Sequence, residues 1–243
     1  MTFFNHHAIR HLLSAGLIVL AVTGNSIRSA RGQSEVSPQI WVDYNPVVHL
    51  SEKSSLRGDV GLRWELESDG WWRFIVRPGY RYTLRPGTFL MAGVGSFYTR
   101  NQIASNEWEI RPFQGAATTW PQSDMLSFQH YVRLEERIYK YTGNIESRIA
   151  LRFRYRLRAF HRFGAFKTDG NWMLFTSAEI FATLSGEQGQ FQELIRLVAG
   201  IEKSLMRFRA RLDVTWQLRE QGIVLFGDVS DIFIRFRLFH TFR

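Results

Sequence analysis

The chain has 243 residues, 45% apolar and 15% aromatic, which excludes a disordered protein and allows one large domain or two small ones. Its formal charge is +9, carried by 27 Arg against only 4 Lys, and that excess suggests guanidinium groups held in planar, bidentate ion pairs. Cysteine is absent, which removes disulfides, thiolate-ligated zinc, a thiol nucleophile and a lipid-modified N-terminal Cys.

Residues 1–32 read as a secretory signal peptide. Arg10 precedes an apolar core, Leu12–Val22, too short to span a bilayer as a mature helix. Cleavage fits after Ala30-Arg31-Gly32 or after the earlier Val22-Thr23-Gly24; an uncleaved membrane anchor is the alternative. Residues 33–243 then form one exported domain. No later stretch strings together the ~18 apolar residues of a helical span, which excludes a polytopic helical membrane protein.

Past the signal the hydrophobic period is two. Ser55–Glu67 alternates strictly, with Leu56, Val60, Leu62, Trp64 and Leu66 on one face and Arg57, Asp59, Arg63, Glu65 and Glu67 on the other. Arg148–Arg158, Arg207–Arg219 and Asp231–Phe242 repeat the pattern, and weaker segments lie at 39–50, 71–84, 89–99, 107–119, 124–137, 172–184 and 193–202. Turn signals separate them at Glu52-Lys53-Ser54, Ser68-Asp69-Gly70, Arg85-Pro86-Gly87, Pro121-Gln122-Ser123 and Thr142-Gly143-Asn144. Pro46, Pro78 and Pro112 fall inside strand segments and suggest bulges or displaced ends. No helix is expected.

Alternation suits either a soluble sandwich or a membrane barrel. The candidate strands are long, and a tilted strand needs ~9–11 residues to cross a bilayer, whereas soluble strands cluster near ~5–6. Aromatics (Trp41, Tyr44, Trp71, Trp72, Tyr80, Tyr82, Tyr139, Tyr141, Trp172) gather near predicted strand ends, as in interfacial girdles. The chain also stops on an alternating strand. The expected fold is therefore all-β, a single antiparallel transmembrane barrel with apolar residues outside and Arg inside. Eleven candidate strands conflict with the even count of bacterial barrels. Twelve are expected, with a short strand in Gly222–Gly227, and ten are the alternative.

In such a barrel the lumen would hold a charged lattice: Arg57, Asp59, Arg63, Glu65, Arg73, Arg77, Arg111, Arg133, Glu135, Arg152, Arg154, Arg156, Glu179, Arg209, Arg211, Asp213, Arg235 and Arg237, joined by Arg81, Glu107 and Glu109. Unpaired burial would cost several kcal/mol per charge, so Arg–carboxylate pairs are expected, with long stems reaching across the lumen. Arg152, Arg154 and Arg156 should point inward at successive depths, with Glu65, Glu135 and Asp213 within reach.

The order Trp108-Glu109-Ile110-Arg111-Pro112-Phe113-Gln114, His130-Tyr131-Val132-Arg133-Leu134-Glu135-Glu136-Arg137, Arg152-Phe153-Arg154-Tyr155-Arg156-Leu157 and Glu179-Ile180-Phe181 resembles a family of bacterial outer-membrane barrels catalogued as domain of unknown function 2490. The likeness would cover residues 38–243; Ala182-Thr183 stands where the family favours Asn. It implies the outer-membrane barrel and no reaction, substrate or catalytic residue.

Chemistry is sparse. His49, His130, His161 and His240 show no metal-ligand spacing, and there is no His-Glu-x-x-His. His130 sits on the outward phase, with Ser127 on the opposite one, so a catalytic pairing is not expected. Glu135 and Glu136 face opposite sides and cannot cooperate. No enzyme activity, metal or cofactor is expected. The expected role is a narrow or plugged pore or transport accessory for anionic solutes, or a structural membrane protein, in the bacterial outer membrane. Partners would be membrane lipid, lipopolysaccharide and, through the C-terminal strand, the barrel-assembly machinery. Nucleic acid is not expected. The alternatives are an enzyme modifying lipid or lipopolysaccharide at the barrel wall, and a soluble periplasmic β-barrel that binds a ligand.

Overall fold

A computed structural model describes residues 36–67, 70–102, 104–123, 126–143, 146–162, 171–185, 191–219 and 229–242. Eleven strands make up the described fold: β1 (Ser37–His49), β2 (Ser54–Glu65), β3 (Trp72–Arg85), β4 (Thr88–Arg100), β5 (Glu107–Gln122), β6 (Leu126–Tyr141), β7 (Arg148–Arg162), β8 (Asn171–Ser185), β9 (Phe191–Leu205), β10 (Phe208–Arg219) and β11 (Val229–Phe242). Each of the eleven alternating segments has become one strand. The Pro121-Gln122 turn signal is instead absorbed into β5, and that connection begins at Ser123.

Every consecutive pair is antiparallel, and the sheet closes on itself through β1 and β11. With an odd number of alternating strands the first and last run the same way, so this seam is parallel, from Ser37↔Asp231 to Val48↔Phe242. The expectation of twelve or ten strands is corrected to a mixed ring of eleven. Parity is no condition on closure, because a parallel pair satisfies the edge backbone as an antiparallel pair does. Residues 222–227 lie outside the described residues, and β10 pairs with β11 directly, leaving no place for another strand between them.

The three strand prolines act without shifting register. β1 keeps its alignment with β2 on both sides of Pro46, but Asn45 and Pro46 drop out of that ladder. Pro78 does the same between β3 and β4, and Pro112 between β5 and β6. Each proline still pairs on its other side, with His240, Gly58 and Val94 respectively. A missing N–H explains a one-sided gap. The register shifts occur elsewhere, at Thr83/Arg85, Thr119/Gln122 and Gln217/Leu218.

Closure gives the alternation its meaning. Along β1 the inward residues Gln39, Trp41, Asp43, Asn45 and Val47 are buried while Val42, Tyr44 and Val48 are exposed. The same holds around the ring: every strand shows at least two large apolar side chains to the outside, among them Phe74, Leu90, Val132, Phe153, Leu212 and Phe236. The buried interior combines charge with rings, since Phe97, Phe175, Phe181 and Ile75 are fully enclosed together with Glu109, Glu135, Asp43 and Asp213. Gly93 makes room for one of these rings. A Cβ there would meet Phe113 Cζ and Gly79 Cα at 2.7 Å each, as well as the Pro78 carbonyl.

Candidate functional site: the charged lumen

The inward phase of β5 to β8 builds a continuous chain of ion pairs. Glu109, with no exposed surface, accepts two hydrogen bonds from Arg111 (2.8 and 2.6 Å) and two from Arg137 (2.6 and 3.1 Å). Arg111 also lies 3.8 Å from Glu135. Glu135, equally enclosed, takes the Arg152 fork and has Arg133 at 3.0 Å and Arg154 at 3.9 Å. Arg154 in turn donates to Glu179 on β8. Three carboxylates thus hold five guanidiniums on one wall.

The remaining pairs are separate. Arg77 grips Asp59 bidentately at 2.8 and 2.9 Å. Arg237 reaches Asp213 at 3.0 Å, Arg235 pairs with Asp43, and Glu202 takes Arg211 together with Arg209 at 3.4 Å. Arg73 bonds Thr99 at 2.6 Å and Glu107 at 3.3 Å. Glu65 accepts from Ser37, and Arg57 donates to Ser55 at 3.1 Å.

Three expectations change. Glu65 and Asp213 do not meet the β7 arginines; only Glu135 does, through Arg152 and Arg154. Nor, among the described residues, do ion pairs cross the lumen. Nearly every ion pair among the described residues joins one strand to itself or to its neighbour, and of these Arg73 of β3 reaching Glu107 of β5 spans the widest gap. Aromatic rings of neighbouring strands lie among the stems: Trp41 stacks on Phe233 at 3.8 Å, and Arg133 lies over Phe113 at 3.7 Å. Trp41, Tyr139 and Tyr141, expected in an interfacial girdle, sit on the inward phase instead. Trp41 is enclosed, and the two tyrosines stack on each other.

Arg63, Arg81, Arg156, Arg158 and Arg196 have no carboxylate within ion-pair distance among the described residues. Arg63 stacks on Trp41 (3.6 Å), Arg81 on Phe89 (3.7 Å) and Arg156 on Tyr131 (4.8 Å), each gaining a cation–π contact in place of an anion. Arg196 donates to Gln217 at 2.8 Å.

Asp43, Arg137, Arg158, Arg196, Glu202 and Asp231 belong to this interior and were absent from the sequence-derived set. The signal for Arg158 was its place in the Arg148–Arg158 alternation. Asp43, Arg196 and Glu202 lay in the weaker segments, where the inward phase shows only once both neighbours are paired.

The outer wall carries two polar details. His130 Nε2 lies 3.0 Å from the Trp120 carbonyl, which can only accept, so Nε2 bears the proton and Nδ1 accepts the Tyr155 hydroxyl at 2.9 Å. Ser127 is on the buried phase and donates to the Ser123 carbonyl at 3.1 Å. A shallow groove of about 530 Å³ runs over Pro78, Gly93, Val94 and Pro112 beside Glu136, where the prolines interrupt the ladders. Among the described residues no His, Asp and Glu side chains converge as a metal site.

No curated protein and no solved structure matches the chain. A family model does match, over residues 38–222, which is β1 through β10 and the start of the following connection. That is most of the chain, so this eleven-stranded barrel belongs to the family described as Protein of unknown function (DUF2490).

Proposed function

We propose that the chain is a membrane-spanning barrel of a bacterial outer membrane, exported through a cleaved signal peptide, with a lumen filled by its own ion pairs and rings. The observation that carries the proposal is the inversion of the two faces: large apolar side chains outside every strand and a buried Arg–carboxylate interior. A water-soluble protein rarely exposes a contiguous apolar patch beyond ~300–600 Å², whereas membrane barrels alternate apolar-out and polar-in. Strands of 12 to 16 residues are long enough for a tilted crossing. The outer face would meet lipid and lipopolysaccharide, and β11 would be the strand read by the assembly machinery.

The connections differ between the two rims. Residues 50–53, 86–87, 123–125, 163–170 and 206–207 close one rim; residues 66–71, 101–106, 142–147, 186–190 and 220–228 close the other. Outer-membrane barrels keep short turns on the periplasmic side, so the first rim, where β11 ends, is assigned to the periplasm.

Transport through this lumen would be narrow and anion-preferring, because arginines outnumber carboxylates there. The dense pairing along β5 to β8 favours a second reading, a structural barrel without transport. Fractionation with heat-modifiable gel mobility tests the membrane assignment: recovery from the soluble periplasm without a folded-form shift would sink it. Planar-bilayer recording then separates the two roles. Replacing Arg154 and Arg156 by Ala should raise conductance if a plugged pore is present and leave it at baseline if the barrel is purely structural.

A further inference from the structure

One line of contacts crosses the barrel. Arg63 of β2 lies 3.6 Å over Trp41 of β1, and Arg196 of β9 lies 5.8 Å from the centre of the same ring. Arg196 is also 4.8 Å from Phe181 of β8, and Arg154 of β7 lies 5.1 Å from that second ring. The line Arg63–Trp41–Arg196–Phe181–Arg154 therefore runs from β2 to β7. In the closed ring those strands are five apart one way and six the other, as far apart as eleven strands allow. Ion pairs follow the wall, whereas this cation–π stack follows a diameter.

Arg196 is the middle member. A third ring, Phe233 of β11, lies 5.6 Å from its guanidinium and stacks on Trp41. One side chain thus touches rings from three strands. It is also within electrostatic range of Arg111 on β5, Arg154 on β7, Glu179 on β8 and Arg235 on β11. The three rings are buried, none more than 4% exposed. Trp41 lies four residues in from the start of β1 and Phe181 four from the end of β8, so the stack sits nearer the rim of the longer connections. What holds Arg196 differs from what holds the arginines around it. Arg152 is tied to Glu135, Arg154 to Glu179 and Arg235 to Asp43. Arg196 faces Glu179 in register, but that carboxylate accepts from Arg154, and Arg196 donates instead to the neutral amide of Gln217 at 2.8 Å. Ring contacts and a neutral hydrogen bond give way more readily than a buried ion pair. The β9 backbone keeps its ladders to β8 and β10 whichever way the side chain turns.

We propose that Arg196 is the stopper of the lumen: its guanidinium, lodged among Trp41, Phe181 and Phe233, closes the water path, and swinging that one side chain aside opens it. Ring-lined constrictions gate by excluding water, and here a planar cation fills the space the rings leave between opposite walls. The ion pairs of β5 to β8 are the fixed part of the filled lumen, and Arg196 is the movable part. The inference rests on the membrane-barrel reading and names what keeps that barrel shut.

The test is planar-bilayer recording of the folded barrel, each protein first shown to run as a heat-modifiable folded form. R196A and R196Q should fold, because no carboxylate loses an ion-pair partner. Both should show steady openings where the parent stays at or near baseline. Methylguanidinium added to R196A should return it toward baseline by restoring the missing group to the rings, and sodium at the same concentration should not. R158A is the control. That arginine also has no carboxylate within ion-pair distance among the described residues, but it lies on Phe160 and Phe175, rings of β7 and β8 alone, and it should record like the parent. Baseline recordings from folded R196A and R196Q, openings in R158A equal to those of R196A, no block by methylguanidinium, an equal block by sodium, or failure of both Arg196 variants to fold would each overturn the proposal. Folded R196A at baseline leaves the membrane reading standing, whereas a parent recovered from the soluble periplasm without a folded-form shift fails that reading instead.

Discussion

Glu135 is the side chain whose loss should matter most. It has no exposed surface, and four guanidiniums face it: Arg152 through a hydrogen-bonded fork, Arg133 at 3.0 Å, Arg111 at 3.8 Å and Arg154 at 3.9 Å. After Glu135→Gln, Arg111 keeps Glu109 and Arg154 keeps Glu179, but Arg133 and Arg152 lose their one carboxylate. Removing one partner of a buried pair costs about 3–5 kcal/mol, mostly from the charge left uncompensated. With two arginines stranded, the upper part of that range is expected. Glu107 is the internal control: its pair with Arg73 spans 3.3 Å with both side chains about one fifth exposed, so Glu107→Gln should cost under ~1 kcal/mol. Urea unfolding of the folded barrel in detergent, followed by tryptophan fluorescence, measures both. The double variant E135L/R152L should recover part of the loss, since it removes a stranded charge together with its partner. A cost below about 1 kcal/mol for Glu135→Gln would show that water screens the cluster, and the picture of a dry, filled lumen would be wrong.

Four further outcomes follow from register and closure. The chain has no cysteine, so single cysteines at 152, 154 and 156 should resist lipid-phase labels while those at 151, 153 and 155 react; the reverse pattern would invert the register of β7. Gly93→Val should destabilise by about 1–3 kcal/mol through the clash with Phe113 and Pro78, and Phe113→Ala in the same chain should return part of it in the urea midpoint. Deleting Leu238–Arg243 removes the half of β11 that pairs with both β10 and β1, so folded insertion should fail while export continues; a folded truncated barrel in the outer membrane would refute the seam. Because eleven strands place the start of β1 and the end of β11 at opposite rims, tags at positions 36 and 242 should be reached from opposite sides of the membrane; labelling from the same side would refute the parallel closure.

All eleven strands were legible in the sequence because a pleated strand puts successive side chains on opposite faces, and Arg148–Arg158 or Arg207–Arg219 record that alternation without any partner present. The Arg-over-Lys excess likewise pointed to paired guanidiniums before any pair was seen. Length, charge and phase are local properties, and each residue carries its share of them. Which pairs form is not local. Glu135 meets Arg152 and Glu65 does not because the stagger of neighbouring strands, set by the whole ring, decides which inward residues share a height. The even strand count failed for the same reason, since closure is a property of the two ends together and only the folded β1–β11 seam reveals a parallel pair. The arginines left without carboxylates are the clearest case. A sequence shows 27 of them alike, and only the tertiary structure, by spending Glu202 and Asp213 on Arg209, Arg211 and Arg237, separates Arg81, Arg156 and Arg158 from those already paired.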